Sequence, residues 1–210
     1  MKYIIILLFI VILSFSASAQ MFTALTYNMG FTVGETKDFV NDYSWRGMGF
    51  DIRNISNDRL AFGASFSWNV FDERSDDLIQ VEGGGENDIP DATISGTQIR
   101  YLNSFPLLLT ANYYLGNIDS RVRPIIGLGV GTIYSIERLE IGIVAFQQKK
   151  WRFALAPEIG FVIPSFSGTS FNVNARYYYG FPVTNDITNE KTSVQYVGIN
   201  VGFAFTYDVW

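Results

Sequence analysis

From Phe22 onward the chain alternates bulky apolar residues with small or polar ones, and this period-2 pattern recurs in eight segments. Alternation of this kind marks strands whose two faces meet different surroundings. In the first segment, about 22–34, Leu25, Tyr27, Met29, Phe31 and Val33 oppose Asn28, Gly30, Thr32 and Gly34. The second, about 44–53, sets Met48, Phe50 and Ile52 against Gly47, Gly49, Asp51 and Arg53. The third, about 59–71, sets Phe62, Phe66, Trp68 and Val70 against Gly63, Ser65, Ser67 and Asn69. A fourth ends at Leu107, Leu109, Ala111, Tyr113 and Leu115, and Pro106, which has no N–H for the ladder, predicts a bulge there. The remaining four run about 122–137, 151–163, 171–182 and 194–210, each with one aromatic or aliphatic face.

Each segment reaches the roughly 9–11 residues that a tilted strand needs to cross a bilayer. The connections alternate in length. Short ones fall near Asn54–Asp58, Gly116–Arg121 and Pro164–Thr169; longer ones fall near Glu35–Tyr43, Asp72–Thr93, Glu137–Lys150 and Val183–Thr192. Short periplasmic turns alternating with longer outer loops are the signature of an outer-membrane barrel. The pattern predicts an all-β fold, an antiparallel up-and-down β-barrel of eight membrane-spanning strands with both termini in the periplasm.

Size decides which face is outside. An eight-stranded barrel is only just wide enough for side chains to fill it, so it cannot enclose the bulky faces of all eight segments. Those faces are assigned to lipid, and the Gly-, Ala-, Ser- and Asn-rich faces to the lumen. Composition agrees. Of 210 residues, 48% are hydrophobic and 16% aromatic, while only 17% are charged, too few for a water-facing exterior. Trp45, Trp68 and Trp151 fall near the outer ends of their segments, and Tyr113, Phe171, Tyr207 and Trp210 near the periplasmic ends, as interfacial girdles require.

The segment before the first strand reads as an export signal: Lys2, an apolar run from Ile4 to Leu13, then Ala17-Ser18-Ala19. The run is too short to span a bilayer as a helix. Residues 1–19 are therefore expected to be cleaved, leaving 20–210 as one barrel domain in the bacterial outer membrane. The 15 basic residues less Lys2 leave 14 against 20 acidic ones, net −6, with no basic run, which argues against nucleic acid as a partner.

Some stretches carry a resemblance. Phe105-Pro106-Leu107-Leu108-Leu109 through Asn112-Tyr113-Tyr114-Leu115-Gly116, then Arg123-Pro124-Ile125-Ile126-Gly127-Leu128-Gly129-Val130-Gly131, and Ala156-Pro157-Glu158-Ile159-Gly160 resemble the small outer-membrane β-barrels of OmpA and OmpX type, a porin-family group. The resemblance implies outer-membrane lipid as surroundings. It also implies insertion by the assembly machinery, which reads an aromatic C-terminus. Trp210 stands there, one step out of phase with the odd-numbered apolar face Val201, Phe203, Phe205, Tyr207 and Val209.

The chemistry to be placed lies mostly in the lumen. Asp51, Arg53, Arg100, Arg123, Arg152, Glu158, Arg176 and Asp208 are on inward faces, where charges need partners. A turn centred near Ser167 sets Glu158 opposite Arg176, an attractive cross-strand pair. Asp51, Arg53, Arg123 and Asp208 are expected as a second group toward the periplasm. These charges either plug the lumen or line a narrow water path.

The chain has no His and no Cys, so the usual nucleophilic triads and zinc sites have no residues to build them. Glu158 facing Asn172 or Asn174 is the best acid-based candidate, and an ion pair explains it more simply. No cofactor is implied, and Gly127-x-Gly129-x-Gly131 is strand periodicity, not a phosphate loop. The loop Asp72–Thr93 carries Glu73, Asp76, Asp77, Glu82, Glu86, Asp88 and Asp91 around Gly83-Gly84-Gly85, which suit either solvation or a divalent cation. Within it, Leu78–Val81 and Ala92–Ser95 are positioned to pair, and an exposed strand edge there suits capture of an extracellular protein by strand addition. The expected role is non-enzymatic: structural or surface-interaction, adhesion-like, with a narrow ion or solute channel, or an accessory of surface assembly or secretion, as alternatives.

Overall fold

The computed structural model describes residues 19–57, 59–75, 78–81, 92–95, 97–116, 120–141, 144–165, 168–184 and 191–209. Residues 1–18 of the expected export signal, Trp210 and most of the carboxylates of the Asp72–Thr93 loop lie outside these residues, while Ala19 opens the first strand.

In chain order the elements are β1 (Ala19–Thr32), α1 (Glu35–Phe39), β2 (Tyr43–Ser44), β3 (Arg46–Asn57), β4 (Leu60–Ser75), β5 (Leu78–Val81), β6 (Ala92–Ser95), β7 (Gln98–Tyr114), β8 (Arg123–Ile141), β9 (Val144–Pro164), β10 (Thr169–Thr184) and β11 (Lys191–Val209). Among the described residues eight long strands pair in the order β1-β3-β4-β7-β8-β9-β10-β11, and β11 pairs back to β1. All these pairs are antiparallel, from Ala19–Val209 to Thr32–Tyr196 at the closing seam. The ring therefore has no edge in its membrane-spanning part, the condition a sheet must meet in hydrocarbon.

The apolar faces point outward as expected. Leu25, Met48, Phe66, Leu109, Leu128, Phe153, Ile159 and Phe203 are all exposed on the outer wall. On β4 the outward residues from Leu60 to Trp68 cover, at about 3.3 Å per residue and a tilt near 40°, roughly 20 Å of height, close to the apolar band of such barrels. Above that band the aromatics form a continuous belt across four strands. Trp68 stacks on Phe105 at 6.2 Å, Phe105 meets Tyr134 at 6.0 Å, and Tyr134 meets Trp151 at 4.9 Å between ring centroids. On the other side Trp45 sits at a bulge. The pairing of β1 with β2 (Gly30–Ser44) is one residue out of step with its pairing to β3 (Tyr27–Met48). The extra residue turns the Trp45 ring outward, and its carbonyl accepts the Tyr27 hydroxyl.

Three expectations need correction. Pro106 makes no bulge: β4 and β7 keep one register on either side of it, from Phe66–Leu107 to Asn69–Ser104, and simply lack the intervening rungs. Bulges fall instead at Ile55/Asn57 and at Gly180/Val183. Second, Glu137–Lys150 is not a long loop. The β8–β9 ladder runs on through Ser135–Lys150 and Glu137–Gln148 to Ile141–Val144. Its residues mix polar and apolar side chains on both faces, Arg138 and Ile136 on one and Glu137 and Leu139 on the other, because both faces have left the membrane, so no alternation betrays the strand. Third, the lumen does not hold small residues alone. Phe22, Phe71, Leu102, Leu108, Tyr114, Ile133, Tyr178 and Tyr196 are fully buried inside. Glycines make the room. A Cβ on Gly30 would stand 3.3 Å from the Phe71 ring, and one on Gly198 would stand 3.1 Å from Tyr178.

β4, β7, β8 and β9 continue about seven residues beyond the aromatic belt, roughly 23 Å of strand, and form a lip on the outer side. β5 and β6 pair with each other, Leu78 opposite Ser95, as the sequence expects.

Candidate functional site

Three layers fill the lumen, and the charged one is central. β9 and β10 pair so that Glu158 stands opposite Arg176, and the Arg176 Nε and Nη2 both donate to Glu158 Oε2, at 3.0 and 2.5 Å. Arg176 also reaches Asp51 Oδ1 at 3.1 Å and Ser65 Oγ at 2.5 Å. Arg53 donates to Glu158 Oε1 at 2.9 Å and lies 3.6 Å from Asp51. β3 is four strands from β9 around the ring, so these bonds cross the lumen. Two carboxylates and two guanidiniums thus form a neutral, fully buried quartet. Asp51 and Arg53 therefore belong with Glu158 and Arg176, not to a separate periplasmic group.

The other lumen charges lie elsewhere. Arg123 stacks over the Tyr114 ring at 4.6 Å, in a periplasmic cluster with Phe22, Ile55, Ala61, Ile125 and Val162. Arg152 pairs with Glu137 at 2.9 Å on the outer side and also donates to Ser135, while Gln148 donates to Glu137. Asp208 lies on β11 opposite Gln20, and its side chain is outside the described set. Around the quartet, Asn112 and Asn172 make no side-chain hydrogen bond within the protein; such amides suit ordered water.

The layer outside the quartet is aromatic. Tyr178 and Tyr196 stack at 4.5 Å and Phe71 meets Tyr196 edge-on at 5.1 Å. Tyr196 hydroxyl bonds with Asn69 at 3.2 Å and Ser104 at 3.0 Å, and Tyr178 hydroxyl with Ser67 at 3.3 Å. These rings come from β4, β10 and β11 and meet across the bore. Nothing in strand periodicity distinguishes them from other inward positions, although two inward tyrosines directly opposite each other on the neighbouring strands β10 and β11 are the signal that was there to read.

The outer mouth is closed by the first loop. α1 folds back over it, and Val40, just after the helix, is buried in the aromatic layer with Phe39 packed beside it. Glu35 accepts from the Ser193 amide at 2.7 Å and hydroxyl at 2.8 Å, and Thr36 Oγ1 accepts from the Gln195 amide at 2.7 Å. Arg100 donates to Phe39 carbonyl at 3.2 Å. The two Ser193 bonds hold the Glu35 carboxyl below its usual range, against a smaller opposing effect of burial. Gly34 enters the helix at φ 56°, and a Cβ there would collide with Gln195.

Trp210 of the expected girdles lies outside the described residues. Trp45, Trp68, Trp151 and Tyr207 are exposed; the half-buried Tyr113 hydroxyl accepts from Arg59 at 3.4 Å. Among the described residues no group of three or more Asp, Glu, His or Cys gathers as for a metal ion.

No family model and no curated protein matches the sequence. Solved structures do. Neisserial surface protein A shares 12% identity over 91% of this chain and 98% of its own, with a TM-score of 0.51. The outer-membrane protease OmpT of Escherichia coli shares 6% identity over 90% and 97%, with a TM-score of 0.50. The attachment invasion locus protein Ail of Yersinia pestis shares 11% over 91% and 99%, at 0.46. The fold is that of a small outer-membrane β-barrel.

Proposed function

We propose that the protein is a non-enzymatic surface barrel of the bacterial outer membrane, exported by residues 1–19 and inserted by the assembly machinery, whose work is done by its outer lip. One observation carries this reading: the bore is closed three times over, by α1, by the Phe71–Tyr178–Tyr196 layer and by the charged quartet. A sealed bore shifts function to what projects from the cell. There the pairing of β9 with β10 stops at Ala154–Gly180 among the described residues, while β9 continues outward to Val144. That leaves a strand edge suited to an extended segment of an extracellular protein, with Lys149 and Lys150 guarding it against indiscriminate pairing. The loop 72–93, with its β5–β6 ribbon, is the second contact surface of this adhesion-like role. A structural role in the envelope needs the same closed barrel.

The test is planar-bilayer conductance of refolded protein, with heat-dependent gel mobility as folding control. Silence from folded, inserted protein is expected. Reproducible steps that change on Glu158→Gln would restore the narrow channel. Protease treatment of intact cells should cut within 76–91, and sparing of that loop on inserted protein would remove it from the contact surface.

A further inference from the structure

We propose that the outer wall across β11, β1, β3 and β4 holds an acyl chain of a phosphorylated glycolipid of the outer leaflet, with Arg46 receiving the lipid's phosphate. The wall there is not smooth. A groove of about 620 Å³ runs obliquely from Phe203 and Leu25, past Tyr27 and Met48, to Trp68 and Arg46. Its lining is overwhelmingly apolar, and because it opens on the lipid face, hydrocarbon fills it. The remaining question is which lipid.

The groove's upper end answers in charge. Arg46 lies two rungs above the aromatic belt, opposite Val70, where a headgroup begins. Its guanidinium is exposed and touches Asp72 through Nη2. An arginine has five N–H donors, so this contact leaves donors for a phosphate, and a fork of N–H groups suits phosphate oxygens. Arg74, two residues along the same outward face of β4, is also exposed and adds positive charge.

The surroundings favour a sugar-bearing headgroup over a simple phospholipid. Tyr43 and Trp45 are 71% and 65% exposed beside Arg46, and present flat faces on which sugar rings stack. Asn103 lines the same end and already accepts from Trp68 Nε1 at 3.2 Å, its amide N–H groups remaining for hydroxyls. The Tyr27 hydroxyl, bonded to the Trp45 carbonyl, fixes the groove wall.

The experiment is native mass spectrometry of the folded chain in neutral detergent, with three probes: a bis-phosphorylated acylated glucosamine disaccharide, the same lipid without phosphates, and phosphatidylglycerol. The expected result is retention of the first alone. Arg46→Gln should cut that retention about tenfold, the size of one lost charged hydrogen bond. Met48→Trp, which fills the groove, should cut it as much. Heat-dependent gel mobility checks that both variants fold. Equal retention by either folded variant, or of the dephosphorylated lipid, overturns the site. Retention of phosphatidylglycerol at the same level overturns the glycolipid.

Discussion

Two arginine–carboxylate contacts, Arg176–Glu158 in the lumen and Arg46–Asp72 on the outer wall, have the same chemistry and opposite meaning. The side chains of the first pair are 2% and 1% exposed; those of the second are 60% and 45%. Inside, the partners are protein groups, and a carboxylate that loses its arginine stays buried, away from the bulk water that an exposed one turns to. Outside, water and lipid headgroups compete with the pair, so it holds little energy and stays available to a ligand. Burial decides whether such a contact is structure or a site.

The sharpest way to break this contrast is Arg176→Ala. Removing one partner of a buried pair costs about 3–5 kcal/mol, and here it leaves Arg53 alone between Glu158 and Asp51, one positive charge against two buried carboxylates. Guanidinium unfolding in micelles should show that loss. Glu158→Ala combined with it should cost much less than the two losses added. Additive losses would mean the quartet does not act as one unit.

Tyr196→Phe tests the neighbouring layer. It keeps the stacked ring and removes the hydroxyl that serves Asn69 and Ser104. A loss of about 1–3 kcal/mol is expected, with the bore still silent in bilayers because the ring remains. Tyr196→Ala should cost more and is the variant that opens a cavity. If Tyr196→Phe conducted, the hydroxyl network and not the ring would be the seal.

How far these features were legible depends on the direction of the contacts. Alternation along one strand separated the Leu25–Tyr27–Met29 face from Asn28 and Gly30, so the eight strands and their outward side were readable. Register across a short turn reached the neighbouring strand, and placed Glu158 beside Arg176. Asp51–Arg176 and Arg53–Glu158 cross the bore between strands far apart in sequence, and no local spacing encodes that. The β8–β9 lip failed for another reason: once both faces meet water, residues such as Arg138 and Gln147 lose the pattern that marks a strand. The lid was hidden because a five-residue helix around Thr36 leaves too short a trace.

The lid offers a test of intermediate size. Gly34→Ala places a Cβ at positive φ and against Gln195, which should undock α1 at a cost of about 1–2 kcal/mol. The measurement is proteolysis between residues 33 and 42 in folded protein, which should quicken. An unchanged rate would mean the loop adjusts without leaving the mouth. Acid should act in the same direction. Glu35 is held below 4.5 in the folded chain, so its contribution is complete above about pH 4.5 and is lost as pH falls through the lowered value. Because the group is largely exposed, the effect is small, and it should vanish in Glu35→Gln. Loosening of the lid as pH rises would have the wrong sign for this carboxylate.

The smallest stability effect belongs to Arg46→Gln, and it is the one that completes the contrast. An exposed pair contributes about 0–1 kcal/mol, and salt screens it further. Unfolding in neutral detergent should therefore match the unaltered protein, and high salt should leave both unchanged. In micelles doped with the phosphorylated glycolipid the two proteins should separate, because a ligand that binds only the folded barrel stabilises it in proportion to its occupancy. The gap should close as salt rises and phosphate binding weakens. A variant already destabilised without lipid would place Arg46 with Arg176 as a structural charge. Equal stabilisation of the two proteins would assign the binding to the apolar groove alone, and a gap that survives in the dephosphorylated lipid would mean that Arg46 reads something other than phosphate.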